Sequence, residues 1–537
     1  MDNSYNYTNP FPGGESLHKS FFHEGIYSNI SIKHNNFNGR VPPFSTPSNL
    51  LPSKTVYDPI HGYMTFPELM WEIIDTPQFQ RLKSLKQLAT INFIYPGGNH
   101  TRFEHCLGTG FLARDLVTRC FKSLNTENEF LTTCVSIAGL CHDIGHGPFS
   151  HTFNSILFRL GVGAEWEHEE FSGDIIRYLV DQNNIDIDSE MISLIHSLIT
   201  GEKRHMEHQW IYQIVANKTN SIDVDKFDYI CRDIYHLGLH SLSVDYSRVY
   251  NDCRIINDTI CFTEKNDLTL ASIFESRFSL HKKVYKHNKN ICINTMIKDA
   301  LVLSNDYFHF DEAIQSVEKF LELDDNIIQV IKNFSKDPDE EVRNNPKLLR
   351  AEKIIKDLYH RDTYRFIGEI LLPSNVAYFP DKSEFLCNDN PKDEYYLTED
   401  DIELEKLSYD FGNKNKNPFD NIYFYNPRNP TESFRKLQRH SLLTPNVFRE
   451  FTIKVICKDQ KKVERAKKMF EIYKKKLLKQ WNGCSSKEKD NSCKTIIVDI
   501  PNETNQIKMP ITFLNNKRKN IFEEKKKNES TPVKKNL

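Results

Sequence analysis

The chain has 537 residues, 39% of them hydrophobic and 27% charged, with a net charge of −3. That length implies a large domain with satellites, and the near-neutral balance excludes a global field for nucleic acid or membrane. No apolar run approaches the roughly 20 residues of a membrane span, and the opening MDNSYNYTNP lacks a leader pattern. The twelve cysteines form no CxxC pair and read as reduced thiols of a nuclear or cytoplasmic protein.

Residues 1–50 are rich in Asn, Ser, Pro and Gly without a sustained period, and read as a disordered N-terminus. PELMWEIIDTPQFQRLKSLKQL reads as two short amphipathic helices broken before Pro77. EHCLGTGFLARDLVTRCFKSL sets Leu107, Phe111, Leu112, Leu116, Cys120 and Leu124 at helical spacing. LTTCVSIAGLC is apolar all round, as a buried helix would be. DSEMISLIHSLIT and SIDVDKFDYICRDI continue the pattern, so residues 54 to about 330 are predicted to form an all-helical bundle around a buried central helix. Its domain is bounded at 51–364.

FTIKVICK alternates like a strand, and KKVERAKKMFEIYKKKLL repeats Val463, Ala466, Phe470, Tyr473 and Leu477 like a helix with a basic outer face. A smaller C-terminal α+β lobe is predicted over 365–512. The fold class is therefore mainly α. Residues 513–537 read as a basic flexible tail; its last 23 residues, from 515, hold eight Lys/Arg against three Glu.

The densest chemistry lies in CHDIGHGPFSH, Cys141 to His151. It follows the apolar helix, so His142 and Asp143 emerge from a rigid element. Gly145, Gly147 and Pro148 then break the helix and would let backbone approach a ligand closely. Imidazole and carboxylate together suit a borderline divalent cation such as zinc, iron or manganese. His105 upstream and Asp225 downstream are further candidate ligands. Asp225, Tyr229 and Asp233 are spaced i, i+4, i+8 and share one helix face.

The order His105, His142-Asp143, Asp225 resembles the HD phosphohydrolase superfamily. YDPIHGYM, IIDTPQFQRLKSLKQL, HTRFEHCLG, IAGLCHDIGHGPFSH, IDVDKFDYICRD and SRFSLHKKVYKH together resemble the eukaryotic SAM-and-HD-domain deoxynucleoside triphosphate triphosphohydrolases, without an apparent SAM domain. The resemblance implies an HD-domain helical bundle that cleaves a dNTP at the α-phosphorus, giving deoxynucleoside and inorganic triphosphate, and so controls dNTP pools. It implies one transition metal on His105, His142, Asp143 and Asp225, with Mg on the nucleotide phosphates. Arg102, Lys226, Tyr229 and Arg277 would meet phosphate. His146, His151 and His168 are the candidates for moving a proton, since histidine titrates near neutral pH; by resemblance His168 would be the acid/base residue and His151 would lie close to the scissile phosphate. Glu169, next to His168, is expected to raise its proton affinity. Tyr285 would exclude a 2′-hydroxyl, with Gln87, Leu88 and Asp233 along the sugar. Lys286 departs from the glutamine the family usually has there.

Lys54, Asp75, Gln80, Arg248 and Lys265 match the family's allosteric nucleotide sites, and Lys83 stands where an arginine usually reads guanine. GTP or dNTP activators and a homo-oligomer, dimer or tetramer, are thereby implied. Lysine does not replace arginine's planar fork at a bidentate site. Thr531-Pro532 has the form of a proline-directed kinase site, and NKRKN with KKK has the form of a nuclear import signal. Two rival readings are an HD phosphohydrolase of another nucleotide and a non-catalytic binder of single-stranded nucleic acid, using the basic helix 461–479 and the tail.

Overall fold

Thr101 opens the helix on which the site is built. Glu104 Oε2 accepts from Thr101 N at 2.7 Å and from the Thr101 hydroxyl, a reciprocal capping box. From that cap α1 runs Arg102–Ser123. The computed structural model describes residues 53–163, 166–203, 208–373, 381–386, 392–429, 435–436 and 445–484. The expected N-terminus 1–50 and tail 513–537 lie outside them.

Helix α2, Glu129–Cys141, packs on α1 and is buried without a break from Cys134 to Cys141, as its apolar sequence predicts. Asn128 caps it by accepting from Leu131 N at 2.9 Å. Around this pair stand α3 (His151–Arg159), α4 (His168–Asn183), α5 (Ser189–Thr200) and α6 (Val224–Leu237). Helices α7 (Asp267–Leu280) and α8 (Asn288–Leu303) follow, joined by a π-helical turn, His281–Tyr285. The described chain is mainly α.

The all-helical reading of 54–330 needs correction. Strands β1 (Ser53–Asp58) and β2 (Gly62–Pro67) form an antiparallel hairpin pairing Ser53 with Pro67 and Asp58 with Gly62. Met64 and Phe66 are buried while Tyr63 and Thr65 face out, a period of two too short to stand out beside the helices. A second hairpin, β3 (Arg254–Ile256) and β4 (Thr259–Thr263), adds to a sheet with β7 (Tyr423–Tyr425) and β8 (Arg435–Lys436).

Beyond residue 364 three antiparallel strands, β5 (Arg365–Leu372), β6 (Ile402–Asp410) and β9 (Arg449–Cys457), form a sheet with β9 central. Helix α9, Val463–Cys484, buries Ala466, Met469, Phe470, Tyr473 and Leu477 in a hydrophobic cluster with those strands. This cluster is separate from the main core. Ion pairs join the two: Arg159 reaches Glu403 at 2.8 Å, and Lys458 reaches Asp299 at 2.8 Å.

Candidate metal centre and cleft

Helix α1 brings His105, the end of α2 brings His142 and Asp143, and the first turn of α6 brings Asp225. The two Nε2 atoms of His105 and His142 lie 3.2 Å apart. Asp225 Oδ1 is 3.2 Å from the first and 3.6 Å from the second. Asp143 approaches each of them at 3.5 Å. The opposite ring nitrogens fix the tautomers. His142 Nδ1 donates to Gly139 O at 2.9 Å, and His105 Nδ1 donates to Asp228 Oδ2 at 2.7 Å. Each Nε2 of the neutral rings therefore offers a lone pair. Two lone pairs and two carboxylates aimed at one point repel unless a cation sits between them. The donor set fits a divalent metal with mixed nitrogen and oxygen ligands.

The electrostatics agree. Burial opposes ionisation of Asp143, but Arg102, His142 and His105 outweigh it and hold its carboxyl well below the usual range. Burial likewise opposes charge on His105, yet Asp225 and Asp228 push it up to about 10, so the site demands positive charge: without a metal the His105 Nε2 holds a proton, and a bound cation would displace it and take the lone pair. Arg102, expected on phosphate, is committed to Asp143 through Nη1 and donates from Nε to Ser150 Oγ at 3.0 Å, while still lining the cleft.

A second layer was missed in the sequence. Asp228 accepts from His61 Nε2 at 2.6 Å and from Arg232 at 2.8 and 2.9 Å, as well as from His105. Arg232 also pairs with Asp58 at 2.8 Å. Gly108 makes room for this carboxylate, since a Cβ there would lie 1.9 Å from Asp228 Oδ1. The signal was present: Asp228 and Arg232 sit at i, i+4 in DYICR, and His61 lies in YDPIHGYM.

Gly145 and Gly147 serve packing, contrary to expectation. A Cβ on Gly145 would meet His168 O at 2.2 Å, and one on Gly147 would meet the Phe153 ring at 2.4 Å. The tight turn presses His146, His151 and His168 together, with ring centroids 3.8 Å apart for His146 and His168 and 5.2 Å for His146 and His151. The expected rise in the proton affinity of His168 is also overturned. Glu169 Oε2 lies 3.1 Å from its Nδ1, but that nitrogen has no hydrogen-bond partner. Burial, then the charge of His151, pushes His168 down to about 3. Burial lowers His146 and His151 as well.

These groups open on a cleft of about 1180 Å³. Gln87, Leu88, Arg102, Lys226, Tyr229, Asp233, Arg277 and Tyr285 all line it. Asp225, Tyr229 and Asp233 share the face of α6 that looks into it, as their spacing predicts. Tyr285 OH donates to Asp233 Oδ2 at 2.5 Å, and His100 Nε2 bonds Asp233 Oδ1 at 2.7 Å. Lys226 Nζ meets Asp223 at 3.0 Å. Arg277 donates to Asp410 O at 2.8 Å, and Lys286 donates to Ser408 O, so the C-terminal strands form part of the wall. Lys414, Lys416 and Arg449 complete a basic rim that the sequence did not reveal. Gln87 Oε1 and Arg277 Nε are buried there without partners, as atoms awaiting a ligand would be.

The six residues expected to bind an activator lie elsewhere. Lys54 pairs with Asp75 at 3.3 Å on the exposed surface, Gln80 Nε2 donates to Ile74 O at 2.7 Å, and Lys83 covers the Phe103 ring at 4.6 Å. Arg248 and Lys265 are exposed in a second place, where Asn266 Nδ2 donates to Arg248 O at 3.3 Å.

Residues 102–233 match the HD domain family. The deoxynucleoside triphosphate triphosphohydrolase SAMHD1 homolog of Dictyostelium discoideum is 37% identical over 435 residues, covering 80% of this chain and 81% of that protein. This chain belongs to the SAMHD1 family. The human deoxynucleoside triphosphate triphosphohydrolase SAMHD1 is 34% identical over 466 residues, covering 78% of this chain and 72% of its own. An HD domain-containing protein of Acanthamoeba polyphaga mimivirus is 30% identical, with 77% and 93% covered. Among the described residues no helix is long and apolar enough to cross a membrane.

Proposed function

We infer that this chain is a dNTP triphosphohydrolase, converting a deoxynucleoside triphosphate and water to deoxynucleoside and inorganic triphosphate. The observation that carries it is the convergence of His105, His142 and Asp225, with Asp143 3.5 Å from both imidazoles, in a basic cleft of a chain of the SAMHD1 family. His105, His142, Asp143 and Asp225 would hold a divalent metal, zinc, iron or manganese, which when bound would acidify a water and polarise a phosphoryl oxygen. Arg102, Lys226, Tyr229 and Arg277 hold the phosphates, together with Mg. Water oxygen attacks the α-phosphorus, and the 5′-oxygen leaves with a proton. Burial disfavours the charged form of His168; the phosphate charge raises its proton affinity so that it takes a proton from solvent and gives it to the leaving 5′-oxygen, while the proton of the attacking water is lost to solvent. His146 and His151 hold it in place. Tyr285 packs where a 2′-hydroxyl would sit.

The exposed groups around Lys54 and around Arg248 are read as activator sites for GTP or dNTP between subunits of a dimer or tetramer. Separate hydrophobic clusters support a division near residue 364. Nuclear targeting and Thr531 phosphorylation are assigned to the tail, outside the described residues, and single-stranded nucleic acid to the basic face of α9. The test is product analysis: each dNTP, with and without GTP, beside an Asp143→Ala control. Intact triphosphate that disappears in the control supports the reading. Orthophosphate or diphosphate would return the substrate question to the wider HD superfamily.

A further inference from the structure

The turn at 323–325 is not in the cleft, yet it is bonded to both of its walls. Arg81 donates from Nε and Nη2 to Leu323 O at 2.9 and 2.6 Å, and the same Nη2 donates to His146 O at 3.0 Å. Asp325 N donates to Ser84 O at 3.3 Å. The Asp325 carboxylate then divides. Oδ2 accepts from Lys86 N at 2.9 Å, and Oδ1 accepts from Phe149 N at 2.7 Å. Lys86 precedes Gln87 and Leu88 on one wall; Phe149 precedes Ser150 and His151 on the other. Phe149 and Ser150 both hold positive φ, 58° and 57°, a backbone that persists only where its surroundings enforce it. Ser150 Oγ adds a direct tie by donating to Lys86 O at 3.1 Å.

We propose that Asp325 is a positioning residue, whose two oxygens fix the segment carrying Gln87 and Leu88 relative to the loop carrying His151, and thereby seat the sugar against the scissile phosphate. This rests on the dNTP reading above. The carboxylate is needed because both its contacts are backbone donors and it has only acceptors to offer. A carboxamide has one acceptor oxygen, and its NH2 would face an N–H. Burial is tolerated because the two N–H groups satisfy the carboxylate and the charges of Lys86 and Arg81 act on it, although burial still pushes Asp325 up to about 6.

The test compares Asp325→Asn with Asp324→Asn, whose carboxylate lies in the field of Arg81 but accepts from Asn326, at 2.8 Å from its backbone N and 3.0 Å from its side chain, and from neither wall of the cleft among the described residues. In the metal-loaded full chain, Asp325→Asn is expected to lower kcat/KM for a dNTP by at least about tenfold, to raise KM, and to shrink the preference for dNTP over ribonucleotide, with metal content unchanged. Asp324→Asn is expected to match the wild type. A fall in kcat alone, equal for every substrate, would mean reduced active protein and would overturn the proposal. Amide hydrogen exchange without substrate separates the two readings. Faster exchange at 84–88 and 147–151 in Asp325→Asn supports the tie even where the wild type releases no triphosphate, in which case the dNTP reading fails alone. Unchanged exchange and kinetics overturn the tie. If Asp325→Asn does not fold, Ser150→Ala, which removes the second tie, must shift KM and sugar preference the same way.

Discussion

Asp228 accepts the Nδ1 proton of His105 at 2.7 Å, and that bond turns the opposite nitrogen toward His142. The carboxylate touches no proposed metal position itself. It sets which nitrogen is free, and it is held in turn by Arg232 and His61. Asp228→Asn should therefore weaken metal affinity by about 10- to 100-fold while leaving the four ligands in place. Equilibrium dialysis with elemental analysis measures this. Unaltered affinity would show that the tautomer is set by the metal itself.

Gly108→Ala tests the same layer from the other side. The added methyl would sit 1.9 Å from Asp228 Oδ1, so the carboxylate must move or the helices must part. A loss of about 1–3 kcal/mol in unfolding free energy is expected, with reduced metal retention. Chemical denaturation of the two proteins gives the number.

The histidine cluster predicts an acid-sensitive fold. His146, His151 and His168 are all lowered by burial, His168 to about 3, against an ordinary value of 6.5. The unfolded chain binds their protons first, so stability is full above about pH 6.5 and declines as pH falls from there toward 3. For His168 the excluded proton costs about 1.4 kcal/mol for every pH unit within that window, and His146 and His151 act in the same direction. Melting temperature should fall between pH 6.5 and 4.5, and His168→Asn should flatten the slope. A slope identical in the variant would contradict the assignment.

Tyr285 carries two separable properties, a ring and a hydroxyl bonded to Asp233. Tyr285→Phe keeps the ring and should retain rejection of ribonucleotides, with a modest loss of kcat/KM. Tyr285→Ala removes the bulk and should admit them. Competition between a dNTP and its ribonucleotide reads both.

The four candidate ligands could be picked out of the sequence because few residue types coordinate a cation, and the structure brings His105, His142, Asp143 and Asp225 to one place. The helices showed in their apolar spacing. The β1–β2 hairpin did not, because two buried residues, Met64 and Phe66, make a weak alternation. Asp228 was hidden because an aspartate three residues from Asp225 reads as polar surface until its partners arrive from residues 61, 105 and 232. The His168 expectation failed for a related reason. Sequence shows a carboxylate next door, while burial and two neighbouring imidazoles come from the fold and decide the sign. The basic rim at Lys414, Lys416 and Arg449 comes from chain far past Asp225, the last candidate ligand in the sequence.

That late wall has a consequence for how the protein is made. All four ligands have left the ribosome once residue 225 is free of the exit tunnel. The bonds of Arg277 to Asp410 and of Lys286 to Ser408, and the Arg449 side of the cleft, depend on strands synthesised long afterwards. A nascent chain therefore has its metal donors before it has a closed chamber. A message cut short before β6 would lack Asp410, Ser408 and the 412–416 and Arg449 side of the cleft, so the wall that meets Arg277 and Lys286 is completed only by full-length synthesis.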